Sequence, residues 1–218
     1  MRPFPAEDFT VTTLYPPRRL IASASTALAC WLLLQHYTSL AQLDALLGQW
    51  AYAHSHAAVQ LSRWLSQIGG GVGCVLLILA ASALLGRQYR DTRGVAFLVA
   101  AGLGSWLLNS LLKNHYERSR PTWEHLVYAS GYSLPSGHAM AALTLSFALA
   151  LIMNRHWPQQ RWLWWALAAS WTMAAGAARL VLGVHYFTDV IAGYLLASSL
   201  LCALSLIYQP ATQRLPQA

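Results

Sequence analysis

The sequence predicts an all-α, polytopic membrane protein with six transmembrane helices and one active site at the outer face of the bilayer. Three observations predict it. The chain is 56% hydrophobic and only 10% charged, far more apolar than an ordinary soluble domain. Six stretches approach the roughly 20 apolar residues that a crossing requires, at 20–36, 70–86, 95–112, 138–153, 162–178 and 189–207. The basic residues fall mainly between these runs or at their ends.

The elements follow in chain order, within one membrane domain spanning 1–218. Residues 1–19 hold four prolines and three arginines and read as a cytoplasmic lead-in. The first apolar run begins near residue 20 and is as long as a full span, so it is expected to stay as a membrane helix rather than be cleaved as a signal peptide. Residues 37–69 form the one long connection outside the motifs. Within it, Leu43 to Ile68 has apolar residues at mixed helical spacing, together with His54, His56 and Arg63, which predicts an amphipathic helix lying at the interface. Gly69, Gly70, Gly71 and Gly73 lack the Lys-Ser/Thr ending of a phosphate loop and read, like Gly102 and Gly104, as small residues for close helix packing. Trp157, Trp162, Trp164 and Trp165 gather at the start of the fifth span as an interfacial belt, while Trp106 and Trp171 pack or face lipid. Cys30, Cys74 and Cys202 lie inside spans and offer no disulfide framework or metal spacing.

Orientation comes from charge. With the N-terminus in the cytoplasm, Arg2, Arg18, Arg19, Arg87, Arg90, Arg93, Arg155, Arg161 and Arg214 are internal, nine of the fourteen Lys and Arg. That excess follows the positive-inside rule. Arg63, Lys113, Arg118, Arg120 and Arg179 remain outside. The net charge of +7 is not gathered into the stripe that a nucleic-acid reader needs, so the bilayer is the expected partner and nucleic acid is not.

Charged groups near membrane depth are costly and mark function by default, and they form three clusters here. Lys113-Asn-His-Tyr-Glu-Arg-Ser-Arg120-Pro121 follows the third span, Pro135-Ser136-Gly137-His138 precedes the fourth, and Arg179, His185 and Asp189 fill the connection between the fifth and sixth. The topology puts all three on one face. Lys113, Arg120 and Arg179 would make an anion site, the arginines with a planar fork matched to phosphate oxygens. Ser136 and Gly137 would present free N–H groups at a helix N-terminus, Ser136 also serving as a hydrogen-bond donor. His185 is placed to attack phosphorus, Asp189 to orient it four residues on, and His138 to act as general acid and base. No Gly-x-Ser-x-Gly elbow surrounds Ser136, and no His-Glu-x-x-His pair is present, so the chemistry is expected to need no metal and no cofactor. Glu117 and Arg118 are expected to pair with each other, with contact between Arg118 and the substrate as the less favoured alternative. His36, His54, His56, His115, His125 and His156 are read as interfacial or solvated groups.

Ten positions between 113 and 189 resemble the signature of the phosphatidic acid phosphatase type 2 superfamily, which also holds soluble acid phosphatases and vanadium haloperoxidases. Its pattern is Lys-x6-Arg-Pro, then Pro-Ser-Gly-His, then Ser-Arg-x5-His-x3-Asp. The resemblance implies His185 as nucleophile, Asp189 as its orienter, His138 as acid and base, and Lys113, Arg120, Ser136, Gly137 and Arg179 as phosphate ligands. Ala178 stands where the family usually has Ser. Small bacterial members act on undecaprenyl pyrophosphate, phosphatidylglycerol phosphate, phosphatidic acid or lipid A phosphates. The resemblance therefore implies an inner-membrane enzyme with cytoplasmic termini and a periplasmic site, acting on a lipid phosphate, with undecaprenyl pyrophosphate ranked first. A phosphotransferase would share the His185 intermediate. A transporter is disfavoured because the sequence shows neither inverted repeats nor interrupted spans.

Overall fold

The computed structural model describes residues 16–52 and 55–208, so Arg2, His54, Arg214 and most of the lead-in lie outside the described residues. Among these residues all regular structure is helical: α1 (Pro16–His36), a 3₁₀ turn (Tyr37–Leu40), α2 (Ala41–Ala51), α3 (His56–Ile68), α4 (Gly71–Gln88), α5 (Thr92–Tyr116), α6 (Gly137–His156), a 3₁₀ turn (Pro158–Gln160), α7 (Arg161–Val181) and α8 (Phe187–Ile207). Each expected span coincides with one of α1, α4, α5, α6, α7 and α8.

Length and apolarity alone qualify fewer than six. Arg18–Ala51 (α1 running on into α2), α5, α6 and α8 are long and apolar enough to cross a membrane, and a fifth crossing arises if α3 and α4, bent by 54°, count as one. The helix α7 does not qualify. Its tryptophans, with Ser170, Thr172 and Arg179, dilute the aliphatic content that defines a span.

α6 is the central helix, packed on α5, α7 and α8, while α1 lies along α8, α4 along α5 and α3 along α7. α1 and α8 run antiparallel: Arg19 donates to the carbonyl of Ser205, Ser23 to that of Ser199, and the Cys30 thiol to that of Ala192. The inward face of α6 is mostly small, with Ala139, Ala142, Ala148 and Ala150 buried, which lets neighbouring backbones approach. Leu85, Phe97, Leu98, Leu145, Ile152 and Leu201 fill the core between α4, α5, α6 and α8. Large apolar side chains also cover the outside, among them Leu28, Leu76, Leu103, Trp106 and Leu163. So extensive an exposed apolar surface is stable only where the surrounding solvent is hydrocarbon. The protein is a multi-pass membrane protein.

Three expectations are corrected. The connection 37–69 is not one interfacial helix but the pair α2 and α3, and both reach the functional end. Gly69 to Gly73 make the bend between α3 and α4 rather than a helix-packing face. Gly69 caps α3, Gly70 begins α4, and a Cβ on Gly73 would lie 1.9 Å from the carbonyl oxygen of Ile68. At the opposite end His156 is not merely interfacial: it contacts Asp91 at 3.1 Å, while Asp91 also caps α5 through the Gly94 N–H at 2.8 Å.

The contact that sets the site is α8 against the start of α6. A Cβ on Gly193 would lie 2.8 Å from the Ser136 carbonyl oxygen and 3.2 Å from the Met140 nitrogen. Both are backbone atoms of the α6 N-terminus and cannot swing aside. Gly193→Val is therefore expected to cost about 1–3 kcal/mol by overpacking and to lower the thermal midpoint measured in detergent. Gly86→Ala, with nothing within 4 Å, should not lower that midpoint, since alanine is the better helix former.

Candidate active site

The functional end is built by three segments that converge where α5 stops, α6 starts and α7 hands over to α8. The helix α5 ends at Glu117, whose left-handed φ of 45° turns the chain into the loop carrying Arg118 and Arg120. This loop is stapled from several sides. Trp123 donates its indole N–H to the Gly183 carbonyl at 2.9 Å, Tyr52 its hydroxyl to the Glu124 carbonyl at 2.9 Å, and Arg63 of α3 its Nε–H to the Leu126 carbonyl at 3.0 Å. Gly183 also has a positive φ of 70°, and a Cβ there would lie 2.8 Å from both Trp123 and Tyr52, so glycine is required one residue pair before His185.

A cavity of about 260 Å³ opens at this end, lined by Lys113, Arg120, Tyr128, Ala129, Ser130, Gly137, His138, Arg179 and His185. All three motifs thus meet in one space, as their topology predicts, and His138 and Arg179 share it from α6 and α7. Tyr128, almost fully exposed, forms the rim.

The cations are held by backbone carbonyls. Arg120 donates Nε–H to Gly131 O at 3.0 Å, NH2 to Ser130 O at 2.7 Å and NH1 to Val184 O at 2.8 Å. Lys113 donates to the carbonyl of Tyr132. Burial draws Arg120 below the usual arginine range, with Asp189 acting in the opposite direction. Arg179 is buried and donates to the hydroxyl of Ser66 on α3.

His185 lies in the turn between α7 and α8, with only 2% of its surface exposed. Its Nδ1 meets Asp189 Oδ2 at 3.3 Å and its Nε2 faces Arg120 NH1 at 3.3 Å. A carboxylate accepts and a guanidinium donates, so the neutral ring carries its proton on Nδ1 and its Nε2 lone pair accepts from Arg120 at the cavity wall. Burial pushes His185 down to about 3 despite the nearby Asp189, with Arg179 and Arg120 adding to the depression. His138 Nε2 lies 3.1 Å from the Ser66 carbonyl oxygen, which can only accept, so this ring carries its proton on Nε2.

One of the expected ligands behaves differently from the sequence reading. The Ser136 N–H is not free: it donates to the Asp189 carbonyl oxygen at 3.0 Å. Its Oγ is buried with no hydrogen-bond partner among the described residues. Gly137 lines the cavity, and a Cβ there would come within 3.0 Å of Asn109 Oδ1 on α5. Glu117 and Arg118 do not form the expected pair. Arg118 instead bridges Asp189 at 2.7 Å and Asp44 of α2 at 2.8 Å.

Sequence reasoning missed Asp44 and Ser66, and it left Arg118 out of the site. Asp44 carried a usable signal, being an acidic residue in a mostly apolar stretch with no basic partner nearby in sequence. Ser66 carried none.

The sequence model of the PAP2 superfamily matches residues 93–213, more than half of the chain and all three motifs. The chain belongs to the PAP2 superfamily. Among curated relatives, phosphatidylglycerophosphatase B of Bacillus subtilis (strain 168) is 33% identical over 153 residues, covering 65% of this chain and 75% of that protein. Sphingosine-1-phosphate phosphatase 1 of Rattus norvegicus is 33% identical over 70 residues, 32% of this chain and 16% of that one. Among solved structures, a transmembrane PAP2-type phosphatidylglycerolphosphate phosphatase from Bacillus subtilis superposes with a TM-score of 0.79 at 25% identity, covering 84% of this chain and 94% of that one. This PAP2 protein is a membrane phosphatase.

The depression of His185 has a consequence for stability. An unfolded histidine titrates near 6.5, the folded one near 3, so below about pH 6.5 the unfolded state binds a proton that the folded state refuses. Stability from this group is complete above pH 6.5 and is lost progressively as pH falls toward 3. The thermal midpoint in detergent should therefore fall with acidification, and fall less steeply in His185→Gln. An identical slope in the two proteins would contradict the buried neutral ring.

Proposed function

We propose that this PAP2 protein hydrolyses a lipid phosphate through a phosphohistidine on His185, without a metal, at the outer face of the inner membrane. The observation that carries the reading is the cavity that joins Lys113, Arg120 and Arg179 to His138 and His185. Three cations around one small space would bind the dianionic phosphate. They would equally repel a divalent metal ion, which is the support for metal independence.

In the first step the Nε2 lone pair of His185 attacks phosphorus. The bond from phosphorus to the lipid oxygen breaks, and His138, which would enter this step as the imidazolium with its Nε2–H on the Ser66 carbonyl, gives that oxygen its Nδ1 proton. Asp189 accepts the His185 Nδ1–H throughout and stabilises the positive charge on the substituted ring. In the second step His138 takes a proton from water, the water oxygen attacks phosphorus, and the N–P bond breaks to release phosphate and restore both rings. Lys113, Arg120 and Arg179 would hold the phosphoryl oxygens, where the transition state spreads its charge. The Gly137 N–H at the start of α6 would add a backbone donor. The Ser136 hydroxyl is a further donor in this reading, within reach only if its rotamer changes on binding.

Orientation rests on the charge asymmetry of the loops. Six crossings, counting α7 and taking α3 as an entry segment to α4, would put both termini in the cytoplasm and the cavity at the periplasmic surface. An outward site suits undecaprenyl pyrophosphate, which the sequence reading ranks first. The two Bacillus subtilis proteins favour phosphatidylglycerol phosphate, and a cavity of about 260 Å³ suits one terminal phosphate, so that substrate takes precedence.

The test is phosphate release by purified protein in detergent from phosphatidylglycerol phosphate, undecaprenyl pyrophosphate and phosphatidic acid, with and without chelator. Release should be fastest from phosphatidylglycerol phosphate and unchanged by chelator. It should fall at least about 1,000-fold in His185→Ala, as losses of a covalent nucleophile do. Full activity in that variant would remove the nucleophile assignment, and loss with chelator restored by a divalent metal would remove the metal-free scheme.

A further inference from the structure

The described machinery does not use Arg118, although it is one of the most constrained side chains in the molecule. Its guanidinium donates NH1 to Asp189 Oδ1 at 2.7 Å and to Thr188 Oγ1 at 2.8 Å, and NH2 to Asp44 Oδ2 at 2.8 Å. It is stacked between two rings, with Cζ 3.9 Å from the centre of Tyr186 and 4.7 Å from that of Tyr37. It does not line the phosphate cavity. Asp44 is as tightly held: Oδ1 accepts the Thr188 N–H at 2.8 Å and Oδ2 the Thr188 hydroxyl at 2.6 Å. So many directed partners hold the guanidinium in one geometry, and they are weak evidence of a stabilising role, because an apolar cluster of the same volume is often as stable as a buried ion pair.

We propose that Arg118 and Asp44 are positioning residues for the His185–Asp189 pair: Arg118 fixes the orientation and negative charge of the Asp189 carboxylate, and Asp44 fixes Arg118. The inference rests on His185 as the nucleophile and deepens that reading.

Asp189 has two oxygens with divided duties. Oδ1 is taken by Arg118, while Oδ2 accepts the Tyr186 N–H at 2.9 Å and faces His185 Nδ1 at 3.3 Å. Gripping Oδ1 stops the carboxylate rotating about its last bond, so Oδ2 stays where it sets the His185 tautomer. The same cation offsets the pull of Asp189 on the His185 proton. Without it, Asp189 and Asp44 face each other with no charge between them. Uncompensated negative charge favours imidazolium, and imidazolium has no lone pair to attack with.

Asp44 adds the link to α2. Two carboxylates at the start of α8 also suit the positive end of that helix. Asp44 comes from outside the three motifs, so the arrangement ties the chemistry to the packing of α2 on α8.

The groups facing His185 from each side set the expected pH response. They are Asp189 on α8, Arg118, Arg120 and Tyr186 in the loops, Arg179 on α7, Lys113 on α5, His138 on α6, and Asp44 through Arg118. Removing Arg118 takes away positive charge, so the acid limb of kcat/KM moves to higher pH.

The experiment is steady-state kinetics on phosphatidylglycerol phosphate for wild type, Arg118→Gln, Arg118→Lys and Asp44→Asn, each across pH. Arg118→Gln should lower kcat about 10–100-fold, the range seen when a partner that orients a metal-binding histidine is lost. KM should stay within about twofold, as it does when only transition-state interactions are removed, and the acid limb should move to higher pH. Arg118→Lys should return the acid limb toward wild type while recovering only part of kcat, because a point charge cannot fork between two carboxylates. Asp44→Asn, which keeps the shape and an acceptor for the Thr188 N–H, should lower kcat with KM unchanged and decides the matter if Arg118→Gln does not fold. A raised KM with unchanged kcat would make Arg118 a phosphate ligand and overturn the proposal. So would a lower kcat with an unmoved acid limb, the mark of a purely structural role. Activity in His185→Ala, run alongside, would instead strike the reading on which the proposal rests.

Discussion

The Asp189 carboxylate is fully buried in the first turn of α8, and much of the functional end is arranged around keeping it satisfied. An isolated carboxylate in such a place would be neutralised. Here it has a backbone donor in Tyr186, a cation in Arg118 and an imidazole in His185. Its own carbonyl receives the Ser136 N–H, which docks the start of α6 on α8, and the absent side chain of Gly193 leaves room for that contact. One residue therefore links the orientation of His185, the seat of His138 in the first turn of α6, and the packing of the central helices. Stability and reactivity depend on the same atoms.

A second constraint is imposed by the bilayer. The helices present leucine and tryptophan outward to hydrocarbon, while the buried face of the central α6 is mostly small. Polar chemistry is thereby confined to helix ends, where loops can supply carbonyls. Arg120 and Lys113 are held by the consecutive carbonyls of Ser130, Gly131 and Tyr132 together with Val184. The cations need no carboxylate of their own, so their charge stays available to an anionic ligand.

Much of this was legible in the sequence. The six helices stand where the apolar runs lie, and Lys113, Arg120, Gly137, His138, Arg179 and His185 line one cavity because span direction fixes which helix ends share a face. Asp189 was legible from its spacing to His185. Less was legible where contacts depend on tertiary packing. The connection 37–69 has helical periodicity, but nothing in periodicity says that α2 would cap α8 through Asp44 or that α3 would hold His138 and Arg179 through Ser66. Arg118 was assigned to its neighbour Glu117 on sequence proximity, whereas the left-handed turn at Glu117 sends it toward α8. Length and apolarity give fewer spans than the sequence reading's six, since α7 is a full-length helix whose tryptophans and arginines keep its mean hydropathy low.

The central claim is that phosphate passes through His185, and trapping that intermediate tests it most directly. Purified protein mixed with phosphatidylglycerol phosphate labelled in its terminal phosphate, then quenched in base within milliseconds, should carry label on His185. The bond should be stable to alkali, labile to acid and absent from His185→Ala. Label on Ser136, or turnover with no labelled protein at any time, would contradict the account.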